Sequence, residues 1–231
     1  MSKLEQDWTR IGAELDEQGW AILPGLLSAS GCDALAGMYE KDGLFRSRVV
    51  MARHGFGKGE YRYFAYPLPE RIEKLRNGLY PPLAVIANDW QGRLGKPDRF
   101  PDSHAEYLAR CHAAGQGRPT PLLLRYGPGD YNCLHQDLYG AEVFPLQVAV
   151  LLAQPGADFT GGELVLTEQR PRQQSRAMVV PLAKGDGVVF AVNSRPVKGS
   201  RGYYQAKMRH GVSRLLTGKR HTLGIIFHDA A

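Results

Sequence analysis

The sequence predicts a mainly β protein, a sandwich or jelly-roll core with helices packed outside it. Two observations carry that prediction. After Pro121 the chain becomes a series of short apolar runs separated by turn signals such as Pro155-Gly156 and Gly161-Gly162. Helical spacing is confined to the residues before that point.

Taken in order, Leu4, Trp8, Ile11 and Leu15 recur at the spacing of one buried helical face, which predicts a helix over Leu4–Gln18 closed by Gly19. Trp20-Ala21-Ile22-Leu23 reads as a short strand ended by Pro24-Gly25, and Ser28–Tyr39 as a second helix. From Phe45 to Pro69 the pattern is irregular, with Gly55, Gly57 and Gly59 spaced as in a mobile loop, so a substrate lid is expected there. Ile72–Gln91 reads as a helix interrupted at Pro81-Pro82. Ser103-His104-Ala105-Glu106 is a capping box, opening a helix that runs through Cys111 and stops near Gly115. Strands follow at Leu122–Tyr126, Val148–Leu152, Glu163–Leu166, Gly187–Phe190 and Thr222–Phe227.

The 231 residues suffice for one well-buried domain. We read one domain over 1–231, with 1–117 as helical support and lid and 118–231 as the β core holding the active site. The start, Met1 to Asp7, is polar, and no apolar run approaches the roughly 18 residues of a membrane span, so neither secretion nor membrane insertion is expected. Cys32, Cys111 and Cys133 are too few and too scattered for a disulfide scaffold or a structural zinc site, which points to a reducing cytoplasm. A net charge of +6 favours polyanionic partners.

The chemistry gathers at His135-Gln136-Asp137, where residues two apart in an extended chain share a face and so bring an imidazole and a carboxylate together. A third metal ligand must come from elsewhere, and His210 is well placed for it. Two histidines and one carboxylate on one face of Fe(II) leave three positions open. Arg220, ten residues beyond His210 and just before the last strand, suits a bidentate carboxylate, and Thr222 shares its face. His54, His104, His112, His221 and His228 have no such strand partner, and Cys133 reads as a small core filler.

His135-x-Asp137, the distal His210 and Arg220 together resemble the 2-oxoglutarate/Fe(II) dioxygenase superfamily, over roughly Leu122–His228. The fold this resemblance implies is a double-stranded β-helix. It implies His135, Asp137 and His210 as metal ligands, with Arg220, Tyr126 and Thr222 holding the cosubstrate. Gly161-Gly162-Glu163-Leu164 and Lys184–Phe190 are similar to segments of prolyl-hydroxylase-like members, and Gln18–Leu27 resembles their lead-in. The implied reaction uses Fe(II), 2-oxoglutarate and O2, converts 2-oxoglutarate to succinate and CO2, and hydroxylates a substrate C–H bond. On an N-methyl group the product collapses to formaldehyde, and the outcome is demethylation.

Arg118–Gly140 further resembles a bacterial subgroup proposed to act on damaged nucleic acid, which implies a role in DNA repair. Arg53, His54, Tyr61 and Tyr63 belong to a basic and aromatic stretch suited to stacking bases and neutralising phosphates. Tyr203 belongs to a second such cluster, expected near the pocket mouth. The expected partner is single-stranded or damaged nucleic acid. A peptide or small-molecule hydroxylase and a non-enzymatic metal-binding sensor module are the alternatives.

Overall fold

The computed structural model describes residues 5–231. Helix α1 (Trp8–Gln18) starts where the Asp7 carboxylate accepts from the Arg10 backbone N–H and ends at Gly19, whose φ of 83° is the left-handed cap. Leu4, expected on this helix, lies outside the described residues. Strand β1 (Trp20–Leu23) follows, then α2 (Ala29–Ala36), capped by Ser28. Next come β2 (Phe45–Val50), β3 (Gly57–Lys58) and β4 (Glu60–Phe64). Two helices, α3 (Glu70–Arg93) and α4 (His104–Ala113), complete the helical part, and the Ser103 hydroxyl accepts from the Glu106 N–H at the start of α4. The β part comprises β5 (Leu122–Tyr126), β6 (Tyr131–His135), β7 (Leu146–Leu151), β8 (Phe159–Gly161), β9 (Leu164–Gln169) and β10 (Arg176–Val180). It continues through β11 (Gly187–Ala191), β12 (Ser194–Gly199), β13 (Gly202–Val212), β14 (Leu215–Gly218) and β15 (Arg220–Ile225).

A seven-stranded sheet runs β1-β11-β7-β15-β5-β4-β2, and a second sheet runs β10-β9-β13-β6-β3 with β12 paired to β13. The period of two along the larger sheet separates core from cavity. Leu123 of β5, Val148 and Val150 of β7, and Leu223 and Ile225 of β15 join the main core together with Leu75, Leu79 and Leu83 of α3. Their alternates, Leu122, Leu124, Tyr126, Gln147, Ala149, Arg220, Thr222 and Gly224, line a cavity on the other face. One sheet thus packs helices behind it and holds an open pocket in front.

Two expectations are corrected. The stretch from Phe45 to Pro69 is not a loop lid: β2 and β4 extend the larger sheet, β4 pairing with β5, and β3 pairs with β6 of the other. Backbone pairing to β5 and β6 overrides the glycine-rich composition, and Gly57 is required there because a Cβ would lie 2.4 Å from the Tyr131 carbonyl oxygen. The helix does not break at Pro81-Pro82 either. A proline inside a helix costs about 3 kcal/mol, but Leu79, Tyr80, Leu83 and Ala84 on both sides of the pair are buried in the core, and that packing holds the helix through it.

Candidate active site

Strand β6 ends at His135, which lies directly across from His210 of β13. The two imidazole centroids are 4.1 Å apart. The register shifts between His210 and Val212, and Gly211 fills the bulge, where a Cβ would come within 2.7 Å of the Asn132 carbonyl oxygen. Only glycine lets β13 approach β6 this closely. Asp137 lies past the end of β6, so its convergence does not come from strand alternation as expected. The link between the two residues is instead fastened by Gln136, whose Nε2 donates to the Met208 carbonyl at 2.7 Å and to Asn193 Oδ1 at 2.8 Å.

His135 Nδ1 lies 2.7 Å from the Cys133 carbonyl oxygen. A carbonyl can only accept, so Nδ1 carries the hydrogen and Nε2 keeps its lone pair. Asp137 Oδ1 is 3.6 Å from His135 Nε2, and its Oδ2 is 3.3 Å from His210 Nε2. One ligand atom from each of the three residues falls within 4.8 Å of the other two, a spacing that fits a metal ion. Burial alone would raise the Asp137 carboxyl, but the imidazoles of His210 and His135 hold it well below the usual carboxylate range. Burial, then the neighbouring His210, pushes His135 down, so the neutral imidazole that a metal needs is favoured.

The cavity over these residues holds about 330 Å³ and reaches Arg220. Arg220 is the first residue of β15, not the residue before a strand, and therefore shares a face with Thr222. Its Nη1 donates to Thr222 Oγ1 at 2.6 Å, while its Nε is buried without a hydrogen-bond partner. Among the described residues no carboxylate forms an ion pair with it, although it is only 3% exposed. Burial lowers its pKa, and Tyr126 and Glu163 oppose that shift. The guanidinium lies 5.6 Å from the Tyr126 ring centroid. Gly161 and Gly162 have φ of 69° and 66°, and a Cβ on Gly162 would crowd Leu215 at 2.6 Å and the Arg220 stem at 3.2 Å. A second cavity, of about 640 Å³ lined by β8 and the end of β10, also reaches Arg220.

Of the other expected residues, Tyr61 lines the metal-side cavity. Tyr63 sits behind the lining and donates to the Tyr139 hydroxyl at 3.1 Å. Arg53 and His54 are exposed, and His54 stacks on Phe56, itself a lining residue, at 5.3 Å. Tyr203 is not at the mouth. It lies at the far end of β13, seven residues from His210 at about 3.3 Å each, with Arg93 of α3 5.6 Å from its ring. Cys133 is exposed and lines the cavity, so it is no core filler. Sequence reading missed Gln147, a buried amide in an apolar strand that lies 3.3 Å from His210 Nε2, and Tyr139, two residues past Asp137.

A family described as an oxygenase catalysing oxidative methylation of damaged DNA matches residues 59–230. The chain belongs to that family and is an oxygenase. It is 52% identical over 168 residues to the uncharacterized protein MT2286 of Mycobacterium tuberculosis, covering 73% of this chain and 72% of that one. Among solved structures, it resembles an oxidoreductase of the 2OG-Fe(II) oxygenase family from Burkholderia pseudomallei, with a TM-score of 0.58, 16% identity, and coverage of 100% of this chain and 95% of that one. A Pseudomonas putida prolyl-4-hydroxylase matches with a TM-score of 0.55 at 16% identity, over 97% of this chain and 100% of that one. The double-stranded β-helix of the 2-oxoglutarate/Fe(II) oxygenases is therefore this chain's fold.

Proposed function

We infer that the protein is a 2-oxoglutarate-dependent oxygenase that demethylates an alkylated base of damaged DNA, with His135, Asp137 and His210 holding iron and Arg220 holding the cosubstrate. The observation that carries this reading is the buried, acid-free guanidinium of Arg220 on the same cavity as the three ligating side chains. A cation left unpaired in a protein interior costs several kcal/mol unless a ligand pairs with it. The far carboxylate of 2-oxoglutarate supplies that partner, and the Thr222 hydroxyl steers the guanidinium towards it.

Iron(II), once bound, supplies the oxygen-activating chemistry that couples loss of CO2 from 2-oxoglutarate to hydroxylation of a C–H bond. The chain's own residues position the participants and exclude water. His135 presents Nε2 because Nδ1 is committed to the Cys133 carbonyl. Burial pushes the Tyr126 phenol well above its usual range, so it stays protonated and able to donate beside Arg220. No side chain has to remove a proton from the substrate carbon. A methyl hydroxylated on a base nitrogen leaves as formaldehyde without further help.

The cavity wall formed by Phe56, Tyr61, Leu122, Leu124 and Leu134 is apolar and partly aromatic, which suits the faces of a planar base. That base must be unstacked or single-stranded to enter. Arg53, His54 and Lys58, all exposed around the same edge, suit the flanking phosphates. Residues 1–231 act as one unit in this reading, with the helices bracing the larger sheet. Three free cysteines favour a reducing cytoplasm, and no helix among the described residues is long and apolar enough to cross a membrane.

The test measures succinate and formaldehyde from the Fe(II)-loaded protein with methylated and unmethylated single-stranded oligonucleotides. Methyl-dependent succinate with matching formaldehyde is expected, and Asp137→Ala abolishes both. Equal, slow succinate with the two oligonucleotides would move the substrate to peptides or small molecules. No succinate under any condition would favour a non-enzymatic metal sensor.

A further inference from the structure

We propose that Tyr139 is a positioning residue of the metal centre: its hydroxyl occupies Asp137 Oδ1, so that the carboxylate binds metal through Oδ2 alone. This rests on the reading of His135, Asp137 and His210 as metal ligands. Tyr139 Oη lies 2.6 Å from Asp137 Oδ1. The phenol donates and the carboxylate oxygen accepts, so the single phenolic hydrogen of Tyr139 points at Oδ1. With that hydrogen committed, Tyr139 can only accept from Tyr63, whose hydroxyl lies 3.1 Å away. The result is a one-way relay from Tyr63 through Tyr139 to Asp137.

The relay is mechanically fixed. Tyr61 packs edge-on to Tyr63 at 5.3 Å, Tyr63 packs edge-on to Tyr139 at 6.3 Å, and Tyr139 lies 6.0 Å from His228. Arg46 caps the far end, its guanidinium carbon 4.5 Å from the Tyr63 ring centroid. These rings come from β4, the segment after β6 and the segment after β15, so the phenol cannot leave Asp137 without disturbing three parts of the fold.

The two carboxylate oxygens are otherwise nearly equivalent. Oδ2 is 3.3 Å from His210 Nε2 and Oδ1 is 3.6 Å from His135 Nε2, so both face the same point between the imidazoles. A carboxylate free to use both oxygens takes a fourth coordination position. Three protein ligand atoms leave three positions, and a bidentate cosubstrate plus O2 needs all of them. Partners behind a ligand commonly change metal affinity or activity by about 10–100-fold. Here the effect falls on the open positions, because Oδ2 remains available to the metal when the hydroxyl is lost.

Tyr139→Phe keeps the ring and its packing and removes only the hydrogen bond. The probe is cobalt(II), whose visible absorption reports coordination number without turnover. Wild-type protein is titrated with cobalt(II), then with 2-oxoglutarate, alongside Tyr139→Phe and Tyr63→Phe. In Tyr139→Phe we expect an altered cobalt spectrum before cosubstrate is added and about tenfold weaker 2-oxoglutarate binding to the cobalt form. Tyr63→Phe, which weakens the relay without cutting it, shifts both readings the same way by less. It also serves if Tyr139→Phe fails to fold. A Tyr139→Phe spectrum and 2-oxoglutarate affinity equal to wild type would overturn the Tyr139 assignment alone. A wild-type protein that binds no cobalt(II) would overturn the metal reading and the proposal with it.

Discussion

Arg76 behind the larger sheet and Arg220 in front of it are both almost completely buried, at 1% and 3% exposure. Arg76 is saturated. Its Nε donates to the Ile226 carbonyl, Nη1 to the Tyr66 hydroxyl, and Nη2 to the Phe227 carbonyl and, at 2.8 Å, to the buried carboxylate of Asp229. Arg220 has one side-chain acceptor, Thr222, and faces a cavity. The two environments have similar dielectric character but opposite hydrogen-bond completeness. A buried cation paired with a carboxylate and bonded at every nitrogen holds the fold together, and one with nitrogens to spare marks where a ligand belongs.

The sharpest way to break this contrast is to remove each cation in turn. Arg76→Met leaves the buried Asp229 carboxylate with only the Tyr66 hydroxyl and the His112 imidazole and should cost about 3 kcal/mol of stability, read from denaturant unfolding, while the folded fraction keeps its 2-oxoglutarate affinity. Arg220→Met strands no carboxylate among the described residues. It should leave stability within about 1 kcal/mol of wild type yet weaken 2-oxoglutarate by about 2 kcal/mol or more, roughly thirtyfold in Kd, by calorimetric titration of the metal-loaded protein. Unchanged affinity in Arg220→Met would remove it as the anchor.

Acidification sharpens the contrast next, because His104 against the Phe227 carbonyl and His228 against Tyr139 are buried imidazoles. His104 is pushed down to about 4, by burial and then Arg76, and His228 to about 4 by burial. Both folded values lie below the ordinary 6.5, so between about 4 and 6.5 the unfolded chain binds more protons than the folded one. Stability therefore rises with pH across that window and is lost as pH falls from 6.5 towards 4. The thermal midpoint should fall over that range, and His104→Asn should flatten the fall. The smallest effect belongs to the exposed cations at the cavity edge. Arg53→Ala and Lys58→Ala should each weaken single-stranded DNA binding modestly and reduce its salt slope by about one.

Much of the β core was legible because its strands alternate over a buried sheet with turn residues between them. β1 and β5 fall where the sequence put them, and β11 within a residue. The hairpin β12–β13 was not seen, although Ala206, Met208 and His210 are buried between exposed Lys207 and Arg209. The exposed charges of that solvated face hid a true period of two. β2 to β4 escaped for a different reason: the pairing of β4 to β5 and of β3 to β6 is a long-range property that arginines, glycines and aromatics do not announce. At the site, the His-x-Asp spacing and the distant histidine pointed to three side chains that the fold brings within 4.8 Å of one another, whereas the hydrogen bonds of Tyr139 and Gln136 depend on the fold bringing remote segments together.

His135 and His210 stand 75 positions apart (210 minus 135), yet the sheet lays them side by side. Closing a chain segment of that length carries an entropic cost that grows as (3/2)RT ln n, and here the β6–β13 pairing has already met it before any ion arrives. An ion entering such a site ties together no loose ends. The protein should consequently fold without metal and survive a chelator with its architecture intact, unlike the small zinc domains in which ion binding and folding are one event.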